Sequence, residues 1–421
     1  QSASISCIFV VGGCVALLRP LTLENSYREG PNSYLRDTHH YSVYGLLGYD
    51  VTDAFSLELE VRHTWEDEKV ATGLPSTVIG CRNFARTTIP AIACVIPGPP
   101  VTNPSLIRFP NGQFYAGTKT LSEFTTPRFT AEYQIDDDRM VYASAGKGQK
   151  PGGVLSLLTP SATGDFSGTK FREEILWVYE IGLKAEWLDG RLRTNADVYL
   201  QDFKNKQETG TRIGNDGVPI SGPGFAEKAE VKGFEFDGAW LISDNLTASL
   251  GYAYIDSKYK TFNLQQTTAT NIALAGNCAF VRPAVGTPFC NVDYSGRRLV
   301  LSPKHSGNIG LAWDHEFSGD TRYFAEIDGR YMSKRFFQFD NQTTLSSYHV
   351  VDARGGFRGE NWSITGYVNN LLQNKEITAV GIASPNFNIS LLPPAAPGFL
   401  NSFLTNMPDK RQFGVRLAYS Y

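Results

Sequence analysis

Glu58, Glu60 and Arg62 occupy every second position of "AFSLELEVRHTW", and Phe55, Leu57, Leu59 and Val61 fill the positions between. The interleaving recurs at Lys184 and Glu186, at Arg193 and Asp197, at Glu326, Asp328 and Arg330, and at Asp352 and Arg354. Charged residues spaced by two stand on one face of a strand, so each set forms a row looking to one side. Rows of mixed sign can solvate a wet surface, pair with a facing partner or hold a polar solute. Proton transfer or nucleophilic attack needs groups that converge within hydrogen-bond reach, and no such constellation is spelled out by these spacings. The candidate ligand-binding or wall-lining residues are therefore Glu58, Arg62, Glu186, Asp197, Glu326, Asp328, Arg330 and Arg354, with no catalytic set and no cofactor among them.

Other motifs carry less. The histidines are scattered, at "THH" over 38–40 and at 63, 305, 315 and 349, without the convergence a metal cage requires. "GKGQKPGG" at 146–153 lacks the order of a phosphate loop and is followed by no helical pattern. Cys81 and Cys94 share one long polar segment, and Cys278 and Cys290 share another. Two local disulfides stapling these segments fit an oxidising compartment, whereas four free thiols are rarely kept in exposed loops. No Cys-x-x-Cys occurs, so neither zinc nor redox chemistry is indicated. A formal charge of −3 with no basic block leaves no electrostatic footprint for nucleic acid.

The elements that must position these rows are strands. Forty glycines, with 26 Phe and 20 Tyr among 421 residues, favour strands and turns over helices. Alternation marks strands at 40–49, 54–65, 121–134, 139–147, 173–187, 191–203, 226–240, 246–259, 303–316, 321–333, 344–357, 362–372 and 409–421. Many exceed ten residues, whereas strands of soluble proteins run to about 5–6. The connections alternate without exception. Tight "DVTD", "IDDD", "LDG", "ISDN", "FSGD" and "RGEN" take turns with long loops at 66–120, 148–172, 204–225, 260–302, 334–343 and 373–408. An up-and-down meander then has every tight turn at one end and every long loop at the other, the pattern of an outer-membrane β-barrel. A soluble sandwich would not need such loops all at one end. Loop parity calls for one more rising strand within 8–24, making fourteen. The apolar run "CIFVVGGCVALL" is too short to cross a bilayer as a helix and lacks the flanks of a signal peptide. Residues 1–32 are thus an atypical N-terminal segment, and 33–421 are barrel. The final "DKRQFGVRLAYSY" is read as a wall strand paired with the first, its Tyr421 in the aromatic girdle.

The blocks "YEIGLKAEWLDGRLRTNADVYLQDFKN" (179–205), "AEVKGFEFDGAWLISDNLTASLGYAYIDSKY" (229–259) and "GYVNNLLQNK" (366–375), together with the closing strand, resemble the barrel of TonB-dependent outer-membrane receptors of the iron-complex type. The resemblance implies an all-β, antiparallel transmembrane barrel of 22 strands, of which about fourteen are visible, with the plug domain absent. It further implies a monomer in outer-membrane lipid that binds a scarce large solute, a ferric siderophore or another bulky organic molecule. Import would draw on the TonB energy-coupling complex through the missing N-terminal region. The long loops are rich in Asn, Thr, Ser, Pro and aromatics, which suits a bulky neutral or amphipathic solute. A passive fourteen-stranded diffusion channel and a surface adhesion barrel are the competing readings.

Overall fold

The computed structural model describes residues 6–10, 13–17, 34–73, 106–108, 114–155, 169–213, 219–266, 278–281, 289–378, 380–382, 403–405 and 408–420. Thirteen long strands form one sheet: β1 (Tyr34–Thr52), β2 (Phe55–Gly73), β3 (Phe114–Asp136), β4 (Arg139–Lys150), β5 (Glu174–Trp187), β6 (Leu192–Ile213), β7 (Pro219–Ser243), β8 (Leu246–Thr261), β9 (His305–Ser318), β10 (Thr321–Met332), β11 (Tyr348–Arg358), β12 (Trp362–Asn369) and β13 (Gln412–Tyr419). Each pairs antiparallel with its neighbours in sequence, so the order in space is the order in the chain. A short strand, Leu106–Arg108, adds to the upper part of β3 and completes the fourteen strands of this sheet.

The tight turns close by local hydrogen bonds. Thr52 Oγ1 accepts from the backbone N of Phe55 at 3.0 Å, and Asp136 accepts from Asp138 N at 3.1 Å and from Arg139 Nε at 2.8 Å. That Arg139 contact, foremost, holds the Asp136 carboxyl below the ordinary carboxylate range. In the β5–β6 turn Asp189 and Gly190 take left-handed φ of 56° and 78°, a conformation that Asp and Gly tolerate.

Register carries the two-faced pattern across the whole sheet. Leu57, Ala131, Ala143, Ile181, Val198, Phe234 and Tyr254 are joined through successive rungs and neighbouring positions on one face, as are Leu250, Ile309, Gly329 and Val351. Glu58, Thr130, Ser144, Glu180, Tyr199 and Gly233 run along the other. The apolar face is left open: Ile181 is 62% exposed, Ile309 57% and Leu417 72%. A continuous apolar surface of this extent is covered by lipid or by another protein, not by water.

Three glycines of the polar face stand directly opposite tyrosines: Gly182 opposite Tyr142, Gly233 opposite Tyr199, and Gly414 opposite Tyr367. Each ring lies across its glycine, and a Cβ on Gly182 would come within 2.5 Å of the Tyr142 ring. Gly233 and Gly414 meet their rings at least as closely. The bare backbone is shielded by its partner's ring, a repeated cross-strand device.

Several details differ from the sequence expectation. Residues 204–225, expected as a loop, are mostly strand, because β6 and β7 stay paired from Leu192↔Trp240 up to Ile213↔Pro219. The strand expected within 8–24 is not found in the sheet among the described residues there, and 11–12 and 18–24 lie outside them. Ser6–Val10 and Gly13–Leu17 pair with each other as a separate hairpin. Nor does β13 join β1; they are the two ends of the sheet, each paired on one side among the described residues. The reason is directional. With thirteen strands alternating up and down, β1 and β13 point the same way, and an antiparallel ladder can link them only through an odd number of further strands. Among the described residues no helix is long and apolar enough to cross a membrane, which has no bearing on strands.

Two substitutions test the faces. Ile181→Arg, on the apolar face, is expected to destabilise the folded protein by about 2–4 kcal/mol in urea titrations in lipid vesicles, while Lys184→Ala on the opposite face changes it little. Gly233→Val is expected to cost about 1–3 kcal/mol by forcing the Tyr199 ring away; an unchanged midpoint would mean the ring is not held there.

Candidate functional site

All eight candidate residues lie on the polar face, but they do not converge on one point. Glu58 and Arg62 stand on β2, where the Arg62 guanidinium lies 5.4 Å from the centre of the Tyr44 ring. Glu186 pairs with Arg193 at 2.9 Å beside the β5–β6 turn. Asp197 faces Glu235 across β6 and β7. Glu326, Asp328, Arg330 and Arg354 gather on β10 and β11, where Arg354 Nε donates to Glu326 at 2.6 Å and Arg330 pairs with Asp352 at 2.8 Å. Arg322 and Arg358 both bind Asp314 lower on the same strands. Exposed pairs of this sort contribute about 0–1 kcal/mol each, so this ladder shapes a hydrated surface more than it holds the sheet together.

Around Asp197 the polar face is acidic, an arrangement that strand spacing alone did not reveal. Glu180 accepts from the Tyr142 hydroxyl at 2.5 Å, Asp237 accepts from Asn195 at 2.9 Å, and Glu235 stands between. The alternation of β5 and β7 already showed Glu180, Glu235 and Asp237 as polar positions; only the register brings them beside Asp197. Among the described residues no three His, Cys, Asp or Glu side chains are placed to hold a metal ion. The histidines stay apart from one another: His63 bridges Thr125 Oγ1 at 2.8 Å and Glu123 at 3.2 Å, and His305 meets the Tyr252 hydroxyl at 2.8 Å.

Towards the long-loop end, the polar face is covered. Asn205 is buried with a left-handed φ of 54°, and above it the alternation inverts. Lys206 and Glu208, even-numbered like Asp202 and Lys204, turn inward, where they pair at 2.8 Å and Glu208 accepts from the Tyr259 hydroxyl at 2.9 Å. Tyr259, Phe262, Tyr294 and Phe339 form an aromatic core there, with Tyr259 and Phe262 ring centres 4.7 Å apart and Phe262 meeting Phe339 edge-on at 5.0 Å. Ala229 and Val231 of β7 form its floor, and Tyr199 and Phe203 of β6 pack against it. Burial, with the adjoining Glu208 charge, raises the Tyr259 phenol well above its usual range. The expected loop over 260–302 is thus partly ordered, with Asn263–Gln266, Phe289–Asp293 and Cys278–Val281 forming a three-stranded sheet. Cys290, fully buried in this core, is disulfide-bonded. Cys278 sits on the adjoining strand; its side chain, and all of Cys81 and Cys94, lie outside the described residues.

A polar cleft of about 890 Å³ opens at the upper ends of β10 to β13, lined by Arg330, Tyr348, Asp352, Asn370, Asp409 and Lys410 among others. Asn370 builds its rim. Its backbone N donates to Asp352 at 2.8 Å, and its side-chain amide donates to the carbonyls of Asn374 and Asp409 at 3.0 and 2.7 Å. Its Oδ1 accepts from Asn374 N at 2.7 Å. The "NNLLQNK" block is therefore a corner that ties the end of β12 to the approach of β13.

A meander of long strands, apolar on one face and charged on the other, with every tight turn at one end, defines an outer-membrane β-barrel wall. Residues 18–371 match the family described as TonB dependent receptor-like, beta-barrel, and the chain belongs to that family and to the outer membrane. Its relatives include the metal-pseudopaline receptor CntO of Pseudomonas aeruginosa, 27% identical over 206 residues, which covers 48% of this chain and 23% of the relative. The ferric-pyoverdine M114 receptor PbuA of Pseudomonas sp. strain M114 is 22% identical over 260 residues, 61% of this chain and 27% of the relative. The ferric yersiniabactin uptake receptor FyuA from Yersinia pestis shares the fold with a TM-score of 0.62 at 16% identity, over 92% of this chain and 46% of that one. The chain thus spans less than half the length of each of these proteins.

Tyr259→Ala is expected to open the aromatic core, at about 3–5 kcal/mol of local stability. It should hasten proteolytic cleavage within residues 262–304 at least several-fold while the sheet stays protected. Tyr259→Phe should stay close to wild type, since Glu208 keeps Lys206.

Proposed function

We propose that this chain is part of the wall and outer mouth of a TonB-dependent uptake receptor. In this reading the receptor captures a scarce, large solute, a ferric siderophore or a related metal chelate, and passes it to the periplasm. The observation that carries the reading is the inward-packed aromatic core above a continuous charged wall. A mouth narrowed by ordered segments suits selective capture, whereas a passive pore needs an open one. Relatives named as receptors for metal-pseudopaline and ferric-pyoverdine support the solute class. The family supports coupling to the TonB complex, reached through an N-terminal region of the full receptor, which works as a monomer. Glu58, Arg62, Glu186, Asp197, Glu326, Asp328, Arg330 and Arg354 serve in this reading as the hydrated wall along which solute and plug slide, not as a chemical centre.

The reading also includes two loop disulfides, Cys81–Cys94 and Cys278–Cys290. The second is favoured by the disulfide state of Cys290 and by register, which sets Cys278 opposite Val292, two positions from Cys290 on the adjoining strand. Closing a loop of that size contributes up to about 3 kcal/mol in the chain-entropy model.

The decisive experiment is uptake of radiolabelled ferric siderophores by iron-starved cells carrying or lacking the full-length gene, with and without a functional TonB complex. Gene-dependent, TonB-dependent uptake is expected. Gene-dependent uptake that persists without TonB would replace this reading with a passive channel. For the disulfides, non-reducing peptide mapping should recover Cys278 and Cys290 in one cross-linked fragment; recovery of either as a free thiol would refute that pairing.

A further inference from the structure

Above the apolar band of β6, β7 and β8, the outward face changes character within one rung. The last aromatic rung is Val198–Phe234–Tyr254. The next three are Leu200–Lys232–Asp256, Asp202–Glu230–Lys258 and Lys204–Lys228–Thr261. Lys260 and Lys304 join them from the flanks, Lys260 pairing with Glu230 at 3.3 Å and Lys304 lying 5.4 Å from the centre of the Tyr254 ring. Six lysines thus stand among four carboxylates, Asp202, Glu230, Asp256 and the exposed Glu227 beside Lys228. Lys232 and Lys258 are committed to Glu230 and Asp256 at 3.2 and 3.1 Å. Lys204 and Lys228, both exposed, stand directly opposite each other.

Like charges on directly opposed strand positions are destabilising unless an anion lies between them. Their height settles which anion is at hand. The tyrosine and phenylalanine rung just below marks the membrane interface, where such rings collect at headgroup level. Lysines one to three rungs higher therefore reach the headgroup layer itself, with their stems along the apolar wall. The Asn205 inversion sharpens the site, since it sends Lys206 inward and leaves Lys204 as the last outward cation among the described side chains of β6.

We propose that this lysine patch is a binding site for the phosphate groups of a phosphorylated lipid in the outer leaflet, centred on Lys204 and Lys228. Lys260 and Lys304 close its flank, and Phe234 and Tyr254 lie against the acyl chains below. The site is on the outside of the wall, separate from the solute path. It rests on the outer-membrane placement and not on the uptake reading, so failure of one leaves the other standing.

The test uses the full receptor purified in mild detergent and native mass spectrometry with bis-phosphorylated lipid A, its dephosphorylated form, and inorganic phosphate as competitor. Phosphorylated lipid is expected to bind far better than the dephosphorylated form. The double variant K204Q/K228Q should lose that preference by roughly tenfold to thirtyfold, at the strength ordinary for two lysines at an anionic surface. K204R/K228R should retain it, which separates loss of charge from loss of fold, and K184Q on the opposite face should behave as wild type. Equal binding of the two lipids, or an unchanged preference in K204Q/K228Q, would overturn the proposal. So would full displacement by millimolar phosphate, which marks an adventitious ion only.

Discussion

The constraint on which everything else depends is that backbone N–H and C=O groups in hydrocarbon have no water to turn to. A strand wall meets it by exchanging such bonds with neighbours, and twelve consecutive ladders do so between the two end strands of the described sheet. Once pairing runs without interruption, side chains have only two directions. Lipid demands apolar groups on one face, and the wet interior accepts charge on the other. The charged rows that open the sequence are thus a consequence of backbone pairing, and their mixed signs need no chemistry beyond solvation.

The same constraint relaxes above the membrane, and the structure changes there. Asn205 leaves the strand conformation for a left-handed one, at a point where water and the loop core are at hand, and side chains beyond it exchange faces. What was a wall becomes a folded mouth, with Tyr259, Phe262, Tyr294 and Phe339 packed over the interior side. A wall and a mouth built from one continuous pair of strands, β6 and β7, tie the outer segments to the barrel with little freedom between them.

The proposed uptake function would draw on two unlike surfaces. The charged wall is exposed and held by weak pairs, so its side chains can exchange partners. The aromatic core is buried and its tyrosine hydroxyl is matched to Glu208, so it holds its shape. The outer face adds a third surface, aromatic at the interface and basic just above it, whose partner is the membrane itself.

Much of this was legible in the residues. The alternation of Phe55 to Val61 against Ser56 to Arg62, and the tight "LDG" and "FSGD" turns, determined strand, direction and face, because a period of two and a tight turn act locally. All thirteen long strands fall where that alternation places them, and all eight candidate side chains lie on the face it assigned. What local pattern could not carry was register. Only pairing sets Asp197 against Glu235 and Lys204 against Lys228, since those positions are far apart along the chain and a slip of one residue would turn each to the opposite face. The inversion at Asn205, the aromatic core over 259–339 and the separation of β1 from β13 were likewise decided by the tertiary structure. Each depends on what a segment meets across space: a buried partner for Tyr259, and for β13 a β1 that runs in the same direction and cannot close an antiparallel ladder with it. Composition is blind to both.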